Sequence, residues 1–245
     1  MSDAIGGLLR ALTLAVGVGA AGWFVGHALT SFRAADRYVT VKGISEREVQ
    51  ADVAIWPLRI STADDDLAKA HAQLEASVDQ TRSFLSRNGI DPNQAQVASF
   101  SVIDARANQF RSEKMAGSRY VINQTLIVRS SEPDKVRAAT EKIGELVAAG
   151  VVLSSGGEYQ PGGPTFIFTQ LNSLKPQMIA EATARAREAA EQFARDSGSR
   201  VGGIRRANQG TFEILARDQA PGITEAGQLS KTVRVVSTVE YLLEK

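Results

Sequence analysis

Apolar residues fall along this chain in three different patterns, and each predicts a different kind of element. The first is an unbroken run: the 22 residues from Ala11 to Phe32 carry no charge and are largely apolar, bracketed by Arg10 and Arg33. As a helix rising ~1.5 Å per residue the run reaches ~33 Å, about one bilayer core. The second pattern is alternation. Within Val49–Thr62, residues Ala54, Trp56, Leu58 and Ile60 fall on one side and Val53, Ile55 and Pro57 on the other. That predicts a strand, paired with Tyr38–Ser45 in a hairpin turning near Glu46-Arg47-Glu48. Pro57 assigns this strand to an edge or a bulge. The third pattern is the 3.6-residue period of Leu67, Ala70, Leu74, Ser77, Val78, Thr81 and Leu85. It predicts a helix opened by Asp64-Asp65-Asp66, whose carboxylates cap free N–H groups, and stopped at Asn88-Gly89.

The same patterns continue downstream. Strands are predicted at Ala95–Ala105 and Arg119–Arg129, with a polar loop through Asn108–Gly117 between them. A second helix starts at Glu132-Pro133 and ends at Gly150. The glycine- and proline-rich segment Ser154–Pro164 reads as a loop, and no Gly-Lys-Ser/Thr follows it to make it a phosphate loop. A short strand at Thr165–Gln170 precedes a third helix, Lys175–Ser197, closed by Gly198. Extended segments at Val201–Arg217 and Lys231–Leu243 flank a loop from Asp218 to Ser230. The fold class is therefore α+β: a largely antiparallel sheet with three amphipathic helices packed on it, preceded by one N-terminal transmembrane helix. The organisation is a tail (1–10), an anchor (11–32), a linker (33–37) and one domain (38–245). The first and third helices share length and a glycine stop, the outline of an internal duplication.

Composition narrows the function classes. With 28 basic and 27 acidic residues the net charge is +1, without the basic excess of a nucleic-acid binder. Cysteine is absent, which removes disulfides, thiolate nucleophiles and Cys-ligated zinc, and suits an oxidising compartment without requiring one. The apolar run exceeds the ~7–15 residues of a signal-peptide core and lacks a clean small-x-small cleavage site, so it is read as a retained anchor. Its orientation is open. Arg33, Arg37, Lys42 and Arg47 follow the run against Arg10 before it, which by the positive-inside rule favours a cytoplasmic domain.

Little in the sequence carries chemistry. Gly17-Val18-Gly19-Ala20-Ala21-Gly22 spells a dinucleotide-binding fingerprint, with Glu46 as a conceivable ribose ligand. A first Rossmann helix has a solvated face, however, and Gly22–Phe32 carries no charge. Gly22 and Gly26 are instead candidate contacts between anchor helices. The three aspartates could suggest a divalent metal, but nothing completes a coordination pattern and helix capping is the preferred reading. His27 lies in the anchor and His71 on the first helix, and no nucleophile motif accompanies either. No catalytic, cofactor or metal site is assigned. On the third helix Arg185, Arg187 and Arg195 alternate with Glu181, Glu188 and Glu191, giving Glu181–Arg185 and Glu191–Arg195 pairs of ~0.2–0.5 kcal/mol each. This is a solvated face or a register-setting face against another subunit. Trp56 reads as core, and Tyr159 as a possible interface anchor.

Tyr38–Asp52 (YVTVKGISEREVQAD) resembles the start of the SIMPL-domain family of bacterial envelope proteins. Ala180–Asp196 with Gly198 and Val201-Gly202-Gly203-Ile204 resembles its last helix and following strand, and the element order is similar across 38–245. The resemblance implies an α+β domain exported to the periplasm, assembly into large homo-oligomers, and an association with envelope or oxidative stress. It transfers no catalytic residue. The expectation is a non-enzymatic, single-pass inner-membrane protein with its C-terminal domain in the periplasm, self-assembling into a large homo-oligomer. Phe110, Arg185, Arg187 and Pro221 are the candidate subunit or partner contacts. The alternatives are a monomeric periplasmic binding or adaptor module for a protein or peptide, and a domain on the cytoplasmic face.

Overall fold

The computed structural model describes residues 14–26, 37–107, 117–154 and 163–244. After a helix over residues 14–26 (α1) come β1 (Tyr38–Gln50), β2 (Val53–Asp64), α2 (Leu67–Arg87), β3 (Ala95–Asp104) and β4 (Tyr120–Ser130). They are followed by α3 (Pro133–Glu141), α4 (Gly144–Ala148), β5 (Thr165–Ile167), α5 (Leu171–Asp196), β6 (Arg200–Gln209), β7 (Glu213–Ala216) and β8 (Ser230–Glu244). The strands form two four-stranded sheets. One has the order β3-β4-β2-β5; the other has β1-β8-β6, with β7 also paired to β8. The class is α+β with antiparallel sheets, but there are two sheets where the sequence predicts one.

The predicted hairpin at Glu46–Glu48 does not form. Alternation runs on to Gln50, and β1 and β2 enter different sheets. The break falls at Ala51-Asp52, where distant partners hold the chain. Ala51 N–H donates to the Leu229 carbonyl at 2.8 Å, and the Asp52 carboxylate accepts from the backbone N–H and hydroxyl of Thr169, each at 2.9 Å. The bonds Leu243 N to Arg37 O and Ala51 N to Leu229 O bracket β1 as an antiparallel partner of β8.

The chain divides into two compact units: Met1–Glu46, Pro176–Phe212 and Arg234–Lys245; and Arg47–Lys175 and Glu213–Val233. The second is built around large side chains. Ala54, Trp56, Leu58 and Ile60 on β2 are buried, as their alternation predicts, with Ile122, Leu126 and Val128 of β4 on the same face. α2 covers them with Ala70, Leu74, Val78, Phe84 and Leu85. Each fully buried Leu or Phe here contributes ~1.5–3 kcal/mol relative to exposure. Pro57 lies inside a strand flanked on both sides. Its edge is only local, since β5 pairs with Val53–Ile55 and Leu153 bridges Ile60, leaving Pro57 opposite neither.

The helix ends follow the predicted chemistry. Asp66 caps α2, accepting from Ala68 N–H at 2.8 Å. Gly89, Gly150 and Gly198 take positive φ, and the next residue donates back to Leu85, Leu146 and Ala194 respectively, the hydrogen bond of a Schellman stop. The second predicted helix is split into α3 and α4, because Lys142, Ile143, Glu145 and Leu146 all bond three residues back and tighten the turn. The third begins at Leu171, earlier than expected, and carries Pro176 inside its first two turns.

The unit containing α5 has a different core. Met178, Ala182, Ala186, Ala190 and Ala194 recur every four residues and are all buried. This stripe of methyl groups lets the helix backbone approach β1 at Gly43. A Cβ placed on Gly43 would collide with the Ala182 carbonyl oxygen and the Ala186 nitrogen, and would lie 2.9 Å from the Ala182 carbonyl carbon. Val39, Val239 and Tyr241 pack beside this contact.

Among the described residues no helix is long and apolar enough to cross a membrane. Helix α1 has 13 described residues, ~20 Å of the predicted span. Residues 11–13 and 27–32 of that span lie outside the described residues, as do most of the predicted loops at 108–117 and 154–164.

Gly43→Val is expected to lower stability by roughly 1–3 kcal/mol, the cost of overpacking a closed contact. Urea unfolding followed by circular dichroism reads this as a lower midpoint. An unchanged midpoint would mean that α5 does not sit against β1 at this residue.

Candidate functional site

The sequence-predicted contact residues fall on separate elements. In α1, Leu14, Val16, Val18, Trp23, Phe24 and Val25 are 59–72% exposed, and a Cβ on Gly22 or Gly26 would meet nothing within 4 Å. The glycine fingerprint at 17–22 lies within this continuous helix, so the strand, turn and helix that a dinucleotide needs are not formed. Arg185 and Arg187 are exposed on α5, and Pro221 is exposed in the loop between β7 and β8, in the other compact unit. Phe110, Tyr159 and His27 lie outside the described residues.

The α5 ion pairs differ from those expected. Glu181 accepts a hydrogen bond from the Ser45 hydroxyl at 2.8 Å, Glu191 pairs back to Arg187 at 3.0 Å, and Arg195 donates to Gln192. The three aspartates all serve local structure. Asp64 accepts from Asp66 N–H and the Gln73 amide, Asp65 from Arg119 N–H, and Asp66 caps α2. His71 is exposed, 3.9 Å from Glu75, and Trp56 is fully buried.

A cleft of about 520 Å³ lies in the unit of larger side chains, lined by Gln50, Asp134, Arg137, Arg217, Asp218, Ile223, Gln228, Leu229 and Ser230. Its arginines are engaged by neighbours: Arg137 with Glu141 at 3.0 Å, and Arg217 with Asp218 at 2.8 Å. The Asp218 carboxylate raises the pKa of Arg217 above its ordinary value. Gln228 and Asp218 exchange two hydrogen bonds, closing the loop on itself. Lys231 anchors the same loop from below. It occupies a core-facing position in the alternation of β8, is 0% exposed, and its ammonium is held by the Glu225 carbonyl at 2.7 Å and by the Glu225 carboxylate. The loop from Asp218 to Ser230 is thus a fastened structural element.

The least defended surface is a sheet edge. Open edges attract other strands, and proteins blunt them with charge, bulges, proline or brevity. Among the described residues, three of the four strands that end a sheet path are blunted, and β7, paired beside them to β8, has only four residues. β1 carries Lys42, Glu46, Arg47 and Glu48; β6 carries Arg200, Arg205 and Arg206 with register breaks at Gly202-Gly203 and at Arg205; β5 has three residues. The fourth, β3, is ten residues long, and Ala95–Ile103 contains no charge. Every residue from Gln96 to Ile103 is exposed, including Val97 (56%), Phe100 (51%), Val102 (45%) and Ile103 (46%). The register sets Val97 opposite Leu126 and Val102 opposite Ile122, so Val97, Phe100 and Val102 extend the core face of the sheet. α2 packs on β2 and β4, leaving that extension uncovered by its helix. Sequence reasoning finds this strand but not its edge position, which is set by the strand order.

The far end of β3 is fixed electrostatically. Arg119 donates to both carboxylate oxygens of Asp104 and lies 4.7 Å from the centre of the Tyr120 ring, while the Ala105 N–H donates to the Arg119 carbonyl. The Arg119 guanidinium, and then the Arg106 N–H, hold the Asp104 carboxyl below its ordinary pKa, and Asp104 raises that of Arg119.

The family model SIMPL, described as a protein of unknown function (DUF541), matches residues 39–241 of this chain. None of the curated proteins matches it in sequence. Among solved structures, the regulatory subunit of aspartate kinase from Thermus flavus is 15% identical, with 82% of this chain and 89% of that chain covered. The TM-score is 0.20, too low for a shared arrangement.

Two outcomes are expected from these contacts. Lys231→Met keeps the apolar stem but removes the ammonium; stability should fall by ~1.5 kcal/mol or more, with faster protease cleavage between Asp218 and Ser230. Equal cleavage in the variant would mean that the lysine does not hold the loop. The depressed pKa of Asp104 implies a contribution present above the ordinary carboxylate range and lost as pH falls through its folded value. Arg119→Ala should move the Asp104 titration, followed by NMR, upward toward the ordinary range and shrink that acid-side loss, with the Arg106 N–H still holding the rest.

Proposed function

We propose that this chain, which belongs to the SIMPL family, is a membrane-tethered envelope protein working by self-assembly into a large homo-oligomer and not by catalysis. The observation that carries the reading is the exposed, charge-free edge of β3, beside three edges that are blunted. The outward-facing backbone groups of this ten-residue edge strand, flanked by apolar side chains, favour pairing with another strand over water.

The tether is supported by α1. Its apolar side chains stand in solvent without a described core to cover them, and burying them in lipid gains ~25 cal/mol per Å². In this reading the uncharged run 11–32 crosses the inner membrane once, and Gly22 and Gly26 let neighbouring anchors approach. The domain then lies in the periplasm, where its assembly serves the response to envelope or oxidative stress. The same β3 edge favours one other reading, a monomeric adaptor that receives an extended peptide from a partner.

The full chain is expected to fractionate with membranes and, in detergent, to give a mass by light scattering that is a multiple of the monomer after subtraction of the micelle. A protein extracted without detergent would remove the tether. A monomer would remove self-assembly and move the adaptor reading forward.

A further inference from the structure

We infer that β3 of one copy pairs antiparallel with β3 of a second copy about a two-fold axis at Ser101, joining the two sheets edge to edge. The inference rests on the self-assembly reading of the same edge and adds to it a specific register. Three constraints select that register.

First, the register of β3 against β4 shifts between Val97 and Ser99, so Ala98 is the irregular residue and Ser99–Ile103 is the regular stretch. Second, directly opposite residues of an antiparallel pair point to the same face, with their Cα atoms ~4.5–5.5 Å apart. Phe100 and Val102 lie on the apolar face. They meet each other across the junction only if the axis passes through Ser101. Phe100 then faces Val102 of the second copy, Ser101 faces its own counterpart, and Ser99 faces Ile103. An axis through Phe100 would set Val102 against Ala98, at the irregular position. Third, this register places Asp104, the one charged residue of the strand, opposite Ala98, so no charge meets a like charge.

A second copy is favoured over an unrelated strand because the stretch is complementary to itself. Two-fold pairing uses one patch twice, and an uncharged, alternating segment raises no repulsion against its own reverse. The remaining edges are unsuited to the same role, since self-pairing of β6 would bring Arg205 and Arg206 toward their counterparts across a doubly interrupted strand.

The absence of cysteine makes the test direct. In the full chain in detergent, Ser101→Cys is expected to form a disulfide-linked dimer on mild oxidation. Gln96→Cys is not, because its own counterpart lies ten positions along the junction, ~33 Å away. Val102→Lys, at an exposed position, should weaken association about tenfold or more with an unchanged circular dichroism spectrum. If Ser101→Cys fails to cross-link while light scattering still shows a multiple of the monomer, β3 pairing is overturned and self-assembly stands. If Gln96→Cys cross-links as readily, the register is overturned. A chain that stays monomeric overturns both readings.

Discussion

One contact between two backbones sets the geometry of the unit that contains α5. Gly43 has no side chain, and the helix opposite it presents Ala182 and Ala186, so strand and helix meet with almost nothing between them. Such a contact cannot be relaxed by rotating a rotamer, because both walls are main chain. It explains why the buried face of a 26-residue helix consists of four alanines and one methionine: larger residues would lift the helix off the strand. It also explains how little bulk the unit needs, with Val39, Val239 and Tyr241 filling the space beside the contact. The unit containing Trp56 is built the other way. There, large side chains from β2, β4 and α2 interlock, and packing rather than backbone proximity fixes the spacing.

What could be read from the sequence follows the distance over which each feature is decided. The buried face of β2, the face of α2, a carboxylate cap within Asp64–Asp66 and the glycine stops at 89, 150 and 198 depend on neighbours within a turn or two, and the sequence places them correctly. The turn between β1 and β2 does not depend on neighbours. The chain leaves one sheet for another at Ala51-Asp52 because Leu229 and Thr169, more than a hundred residues away, hold it there. Glu181 shows the same limit on a helix. Its spacing to Arg185 suits a surface pair, but β1 brings Ser45 within hydrogen-bonding reach. Edge status is a long-range property as well. Alternation and composition find β3, whereas only the strand order reveals that one of its sides has no strand neighbour among the described residues.

Buried polar groups add a second kind of constraint. A leucine at position 231 would satisfy the alternation of β8 but would leave the loop above it unattached. The lysine, fully enclosed, ties that loop through both the main chain and the side chain of Glu225. Because Glu225 remains partly exposed, the pair avoids the full desolvation of a sealed ion pair. What the lysine adds is the selection of one loop conformation, since an apolar residue would match the burial equally well.

A two-fold junction through β3 has a consequence for assembly size. An interface that uses the same patch on both partners is closed after two copies, so it cannot by itself build anything larger. A large homo-oligomer therefore requires a second, different surface on each copy. Two described features have the right character. The exposed α5 face carries Arg185 and the Arg187–Glu191 pair, and charges of both signs suit a neighbour in fixed register. The exposed apolar helix α1, with Gly22 and Gly26 open to close approach, suits association within a lipid phase. The two differ in what they require: contacts through α5 survive removal of the membrane, whereas contacts through α1 do not. A dimer that grows only when lipid or detergent holds the anchors together would place the second surface on α1; growth of the anchor-free domain would place it on the folded domain.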